Sequence, residues 1–296
     1  MLRLAHRILT QPLRRISDNR KVQEDEGIAS RLRQIVRTAP ILVADNVFAF
    51  YFAGVANGTW ETAKDFPCVV PPWPECFIEW AVDCTKEGEL ERRMLGTVQL
   101  GAAVICRDLR QPGIARDSMK SLCAQHPDVG WAIQLTSTIS VRGNAPWTVG
   151  QVWMATNKAG TVLGYSESIR FKDGKQLNLS INPALLALSF LNCKNVACAD
   201  ATAEIGPAAK WLRRKKAPEI RYHVLDINPM KAVLRNEGGS ESNGLKKALH
   251  ICRGHFATYT EDKPLFGRVV GTVWKPMHVR GSEDEGVVLK DYRVKV

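Results

Sequence analysis

No apolar run in this 296-residue chain approaches the roughly 20 residues that a membrane-spanning helix needs. The longest stretches, 41–56 and 181–191, are interrupted by Asp45, Asn46, Gly54 and Asn182. No integral membrane association is therefore expected. Cys-x-x-Cys spacing is missing too, although eight cysteines stand at positions 68, 76, 84, 106, 123, 193, 198 and 252. Zinc ribbons and thioredoxin-type redox sites have no foothold without it. With no secretory signal, these thiols read as free and buried, and a reducing cytoplasm is the expected compartment. The chain also has no P-loop, no G-x-G-x-x-G, no G-x-S-x-G and no H-E-x-x-H. No metal or cofactor is expected.

Acid is the scarcer charge: 30 Asp and Glu against 41 Lys and Arg, for a formal net charge of +11. Such an excess favours a polyanionic partner, nucleic acid first and an anionic membrane surface second. The plain alternative is a basic but otherwise ordinary protein. A hydrophobic fraction of 45% and a charged fraction of 24% are those of a globular chain, which excludes wholesale disorder.

Residues 1–24 read as a basic arm, either mobile or helical. Arg3, Arg7, Arg14, Arg15, Arg20 and Lys21 face one acid, Asp18, up to position 21, and leucines and isoleucines interleave with them. A transit peptide, a membrane-surface helix or a mobile nucleic-acid arm all have this look. Residues 25–235 read as an α+β domain, a mainly antiparallel central sheet flanked by helices. Ile28, Leu32, Ile35 and Val36 predict a helix that Pro40 ends, and 41–55 reads as a second, buried helix. Strands are predicted at 76–84, 97–106, 131–142, 149–156, 161–171 and 220–227, the middle ones forming a meander with a hairpin turn at 157–160. Helices are predicted at 182–192, with Pro183 in the first turn, and around Trp211. Residues 236–243 (NEGGSESN) form the clearest linker, and 244–296 a small basic α/β module.

That last module carries most of the chemistry. His250, His255 and His278 fall there among Arg253, Arg268, Lys275 and Arg280, with Phe256, Tyr259 and Trp274 interleaved. Cations that hold phosphates beside rings on which bases stack are what single-stranded nucleic-acid binding requires. The three histidines also make a conceivable metal-free endoribonuclease, since imidazoles titrate near neutral pH and two of them can supply both proton transfers. The structural alternative puts Trp274 and Phe256 in the core of a small sheet. His250-x-Cys252-x-x-His255 offers three metal donors, but no partner cluster completes a zinc site.

A second basic patch surrounds Trp211, with Arg213 and Arg214 followed by Lys215 and Lys216, and reads as a solvated helix face or a nucleic-acid-facing strip. Glu75, Glu79 and Asp83 would share one face of a strand, which favours an exposed polar face over a paired-carboxylate site.

The stretch His250-Ile251-Cys252-Arg253-Gly254-His255-Phe256, then Tyr259 and Val273-Trp274-Lys275-Pro276, resembles a C-terminal signature of phage and mobile-element proteins. One branch of these is the type V-A anti-CRISPR protein that acts against the expression of its CRISPR effector nuclease. Phe256 stands where Trp is usual in the signature. The resemblance covers about 35 residues. It implies a phage or prophage origin and control of a host or defence gene's expression, at the level of RNA, a ribonucleoprotein or a nascent chain. The function expected is therefore a regulatory RNA-binding protein, with the endoribonuclease and a protein-binding inhibitor without nucleic-acid contact as alternatives.

Overall fold

The computed structural model describes residues 2–15, 26–55, 65–83, 97–109, 124–167, 175–207, 209–216, 218–227, 248–252, 254–275, 278–280 and 282–287. The linker expected at 236–243 lies outside them. Among the described residues, no helix is long and apolar enough to cross a membrane.

The meander forms as its sequence predicts. Strands β3 (Glu75–Asp83), β4 (Thr97–Asp108), β5 (Val129–Val141), β6 (Trp147–Asn157) and β7 (Val162–Glu167) pair antiparallel in succession. The last hairpin closes on Asn157, whose side chain accepts from the Thr161 amide at 2.9 Å. Gly160 takes the left-handed φ of 89° that this turn needs.

The other half of the sheet departs from expectation. Residues 41–55 are not one helix: Ile41–Val43 forms a short strand, β2, and α3 (Asp45–Val55) begins only after it. Pro40 disfavours helix at the residue before it, and three consecutive buried apolar side chains suit a strand covered on both faces. β2 runs parallel to β3 on one side and to β9 (Tyr222–Asp226) on the other, and β8 (Ala197–Asp200) closes that edge antiparallel to β9. With the two-residue β1 (Arg14–Arg15) and β7 both on the far edge of β6, the order is β1-β6-β5-β4-β3-β2-β9-β8. The architecture is α+β with a mixed, mostly antiparallel sheet.

Period-two alternation sorts the strands' side chains into two cores. Ile41, Val43, Phe77, Ala103 and Tyr222 pack under α1 (Leu4–Thr10) and α2 (Glu26–Thr38). Leu42, Ile78, Trp80, Val104, Ile133 and Met154 pack under α3 and α4 (Lys175–Leu191) on the opposite face. α4 starts earlier than the sequence suggests, so Pro183 sits inside it rather than in its first turn.

Residues 2–15 are not a mobile arm. Leu4, Ala5 and Ile8 are buried in the core between α1, α2 and the sheet, and Arg7 beside them is buried too. The Arg7 guanidinium donates to Gln99 at 2.9 Å and to the Gly143 carbonyl. Gly101 lets α1 come this close. A Cβ there would stand 2.7 Å from Phe77 and 2.9 Å from Leu4. Two of the arginines that give this segment its arm-like look, Arg3 and Arg7, are anchors.

The C-terminal hairpin also joins the main body. β11 (His255–Tyr259) and β12 (Gly271–Lys275) pair antiparallel and set Phe256 and Trp274 against Phe50 and Phe190. Trp274 lies 4.9 Å from Phe190 and 5.1 Å from Phe50, centroid to centroid, both edge-to-face. Its indole donates to the Ile227 carbonyl at 3.1 Å, and its backbone is clamped at both ends by the Asn195 amide. The remaining short strands form a separate ladder, β10 (Ala248–Cys252) between β13 (His278–Arg280) and β14 (Ser282–Val287).

Replacing Trp274 with Ala removes a fully buried ring and its indole hydrogen bond to Ile227, and should cost about 3–5 kcal/mol. Urea denaturation of the full chain checks this. The same substitution at exposed Phe266 should cost under about 0.5 kcal/mol.

Candidate functional site

A recess opens in the described surface where β8 and β9 meet two short helices. Asp200 ends β8, and its carboxylate accepts from the Thr202 amide at 2.8 Å, which starts α5 (Thr202–Ile205). α6 (Ala209–Lys215) follows, and Lys216 ends it with a left-handed φ of 49°. Residues 218–221 then run back into β9 with Ile220 buried. Between these segments lies a cleft of about 1050 Å³. Arg213, Lys216 and Arg221 line it with Asp200 and Glu219, above an apolar interior of Leu212, Ile220 and Pro207.

The cleft wall includes His6, whose ring has no exposed surface. Its Nδ1 lies 2.6 Å from the Tyr222 hydroxyl, and Trp211 of α6 meets the ring edge-on at 5.8 Å. Burial lowers the imidazole to about 4, against a weaker upward pull from the Pro218 backbone, so it is neutral at pH 7. Burial raises the Tyr222 phenol, and Glu79 raises it further.

Behind this pair stands a buried acid. Glu79 is 1% exposed, and its Oε2 accepts from the Ala5 amide at 2.8 Å. The N-cap residue of α1, Arg3, gives no side-chain cap, so a carboxylate from β3 takes that role. Arg3 lies 4.0 Å from Glu79 and spends its two terminal nitrogens on Asp45, at 3.1 and 2.8 Å. Asp45 in turn accepts from the Ala81 amide. Burial dominates and pushes the Glu79 carboxyl up to about 7, despite the Ala5 hydrogen bond and the Arg3 charge. The expected exposed carboxylate face on β3 is therefore corrected at Glu79. Glu75, on the same strand, pairs with Arg31 and Arg107.

The sequence-predicted residues fall in two groups. Arg213 and Arg214 are exposed on α6, while Trp211 faces inward as the packing side of that helix. Trp274, expected as a stacking ring or as the core of a small sheet, is 1% exposed, has no face open to a base, and packs in the main core with Phe50 and Phe190. Phe256 packs with it in the same aromatic cluster, 4.9 Å away. Tyr259 is half-buried under the Lys275 ammonium, 5.3 Å above its ring. Arg268 is exposed in the turn before β12, and His255 is exposed on β11 opposite Lys275.

His250 and His278 lie in the other ladder, where the register sets His250 opposite Arg280 and Cys252 opposite His278. The side chains of these four and the whole of Arg253 lie outside the described residues, as does the side chain of Asp83. Of the cysteines described, Cys76, Cys106 and Cys193 are buried with their thiols pushed up by burial, Cys68 is half-buried and Cys198 is exposed. Among the described residues, no three His, Cys, Asp or Glu side chains come together to hold a metal.

His6, Tyr222 and Arg221 were not expected at a site. The available signal was a lone acid, Glu79, inside the apolar run Cys-Phe-Ile-Glu-Trp-Ala-Val of β3.

Glu79 makes stability depend on pH in a stated direction. Its folded carboxyl binds a proton more tightly than an unfolded one titrating near 4.5. The folded state therefore gains most below that value and loses stability as pH rises from there to about 7, by about 3 kcal/mol. His6, lowered to about 4, acts in the opposite sense up to the ordinary imidazole range, so the Glu79 contribution is read as a difference: measured from pH 5 to pH 8, the denaturant midpoint of Glu79→Gln should gain steadily on that of wild type.

No family model, no curated protein and no solved structure matches this chain.

Proposed function

We propose that this chain is a cytoplasmic regulatory protein of a phage or mobile element that binds RNA, alone or within a ribonucleoprotein or nascent-chain assembly, and so controls expression of a host or defence gene. The observation that carries RNA binding is the exposed cationic strip on α6. Lys210, Arg213 and Arg214 stand three and four residues apart and so share one face of the helix, and all three are exposed. Lys216 and Arg221 continue the positive charge around the cleft. Trp211, on the inner side, packs against His6 and fixes the strip to the folded body.

A fixed cationic strip holds phosphates without ordering long flexible side chains from a mobile arm, and the chain's net charge of +11 adds long-range attraction. The exposed cations of the C-terminal hairpin, Lys263 and Arg268, offer further phosphate contacts. The regulatory role rests on the resemblance of residues 250–256 and 273–276 to the phage signature.

RNA affinity should fall steeply as salt is raised, through release of counterions. The double substitution Arg213→Ala with Arg214→Ala should weaken binding at least tenfold at low salt and lower the log–log salt slope by about 2. Fluorescence anisotropy with a labelled RNA between about 50 and 200 mM salt measures both. Affinity indifferent to salt would refute RNA binding.

A further inference from the structure

We infer that the cleft beneath α6 receives one unpaired nucleotide, its phosphate held by Arg213, Lys216 and Arg221 and its base placed between Leu212 and Ile220. This rests on the RNA-binding reading above and names the form of RNA that the site selects.

Size comes first. About 1050 Å³ is at the upper end of cavities that take small ligands, roughly 300–1000 Å³. It has room for a nucleotide with a flanking phosphate. Sequence-reading proteins take single-stranded RNA in this way, as a base splayed into a recess with an apolar wall against its flat face.

Charge narrows the ligand further. Among the described residues, Arg213, Lys216 and Arg221 form no ion pair within 4 Å, although the Arg221 charge acts on Asp200, so the cations outnumber the acids around one opening without being locked in salt bridges. Two carboxylates lie in the same cleft. Asp200 also starts α5, whereas Glu219 stands in the cleft with no such bond among the described residues, and both repel phosphate. They suit a ligand that also carries donors, as the amino group of a base or the 2′-hydroxyl of ribose does. The Asp200 carboxyl is held below the usual range by its bonds to Thr202, so it stands ready as an ionised acceptor.

Backbone conformation supports the same place. Lys216 adopts a left-handed φ of 49° with no glycine to ease it. That turn ends α6 and sends the chain back beneath the helix, and Lys216 is one of the cations at the opening that results.

The test uses the full chain and two probes: a 12-nucleotide unstructured RNA carrying 2-aminopurine, and the same strand annealed to its complement. Wild type should bind the single strand about tenfold tighter than the duplex and change the 2-aminopurine emission on binding. Ala203 lines the cleft and is exposed, so Ala203→Trp fills the recess without touching the core. It should bring the two affinities within twofold and abolish the emission change, while the salt slope stays as in wild type. Arg221→Ala should weaken the single strand more than the duplex. Unchanged selectivity in Ala203→Trp would overturn the cleft assignment and leave RNA binding standing. Failure of wild type to bind either RNA at about 50 mM salt would overturn both.

Discussion

A carboxylate shut away from water holds the first helix against the centre of the sheet. Glu79 lies midway along β3, where neighbouring side chains are apolar, and it satisfies an amide that α1 leaves without a partner. Desolvating that acid is costly, and the cost is offset only while Ala5 and Arg3 stay in place. The position of α1 follows from this, and so does the burial of His6, because Ala5 and His6 are adjacent. The His6 contacts with Tyr222 and Trp211 then set where α6 and its cations lie. One buried acid thus links the sheet to the cationic face on the far side of the cleft.

The same arrangement separates two roles that look alike in composition. Arginines near the start of the chain are structural: Arg3 grips Asp45, and Arg7 grips Gln99 and a turn carbonyl. Arginines on α6 reach solvent and remain available to a polyanion. Aromatic residues divide likewise, with Trp274 and Phe256 filling a core and Phe266 lying outside it. Net charge counts both kinds equally, which is why it points to a class of partner without pointing to a surface.

Much of the fold was legible in the sequence, for local reasons. The meander is long, strongly alternating and punctuated by turns, so periodicity and turn chemistry located β3 to β7. β2 was not legible, because three residues carry no period and its strand character comes from β3 and β9 on either side. The site was less legible still. Tyr222 and His6 are 216 positions apart, and no spacing rule joins residues across such a distance. Glu79 was noticed but placed on an exposed face, since a strand pattern shows alternation and not which face water reaches. The basic run on α6 was legible because it is contiguous. The cleft beside it was not, being made by a turn in backbone conformation at Lys216.

The position of Trp274 also bears on how the chain is made. Its ring closes a core whose other parts, Phe50 and Phe190, leave the ribosome far earlier. Synthesis proceeds from the N-terminus, so α3 and α4 emerge with an aromatic face that nothing yet covers. Until the hairpin arrives, that face lacks the ring that covers it in the folded chain. The strands of the meander, β3 to β7, are all made before this ring is.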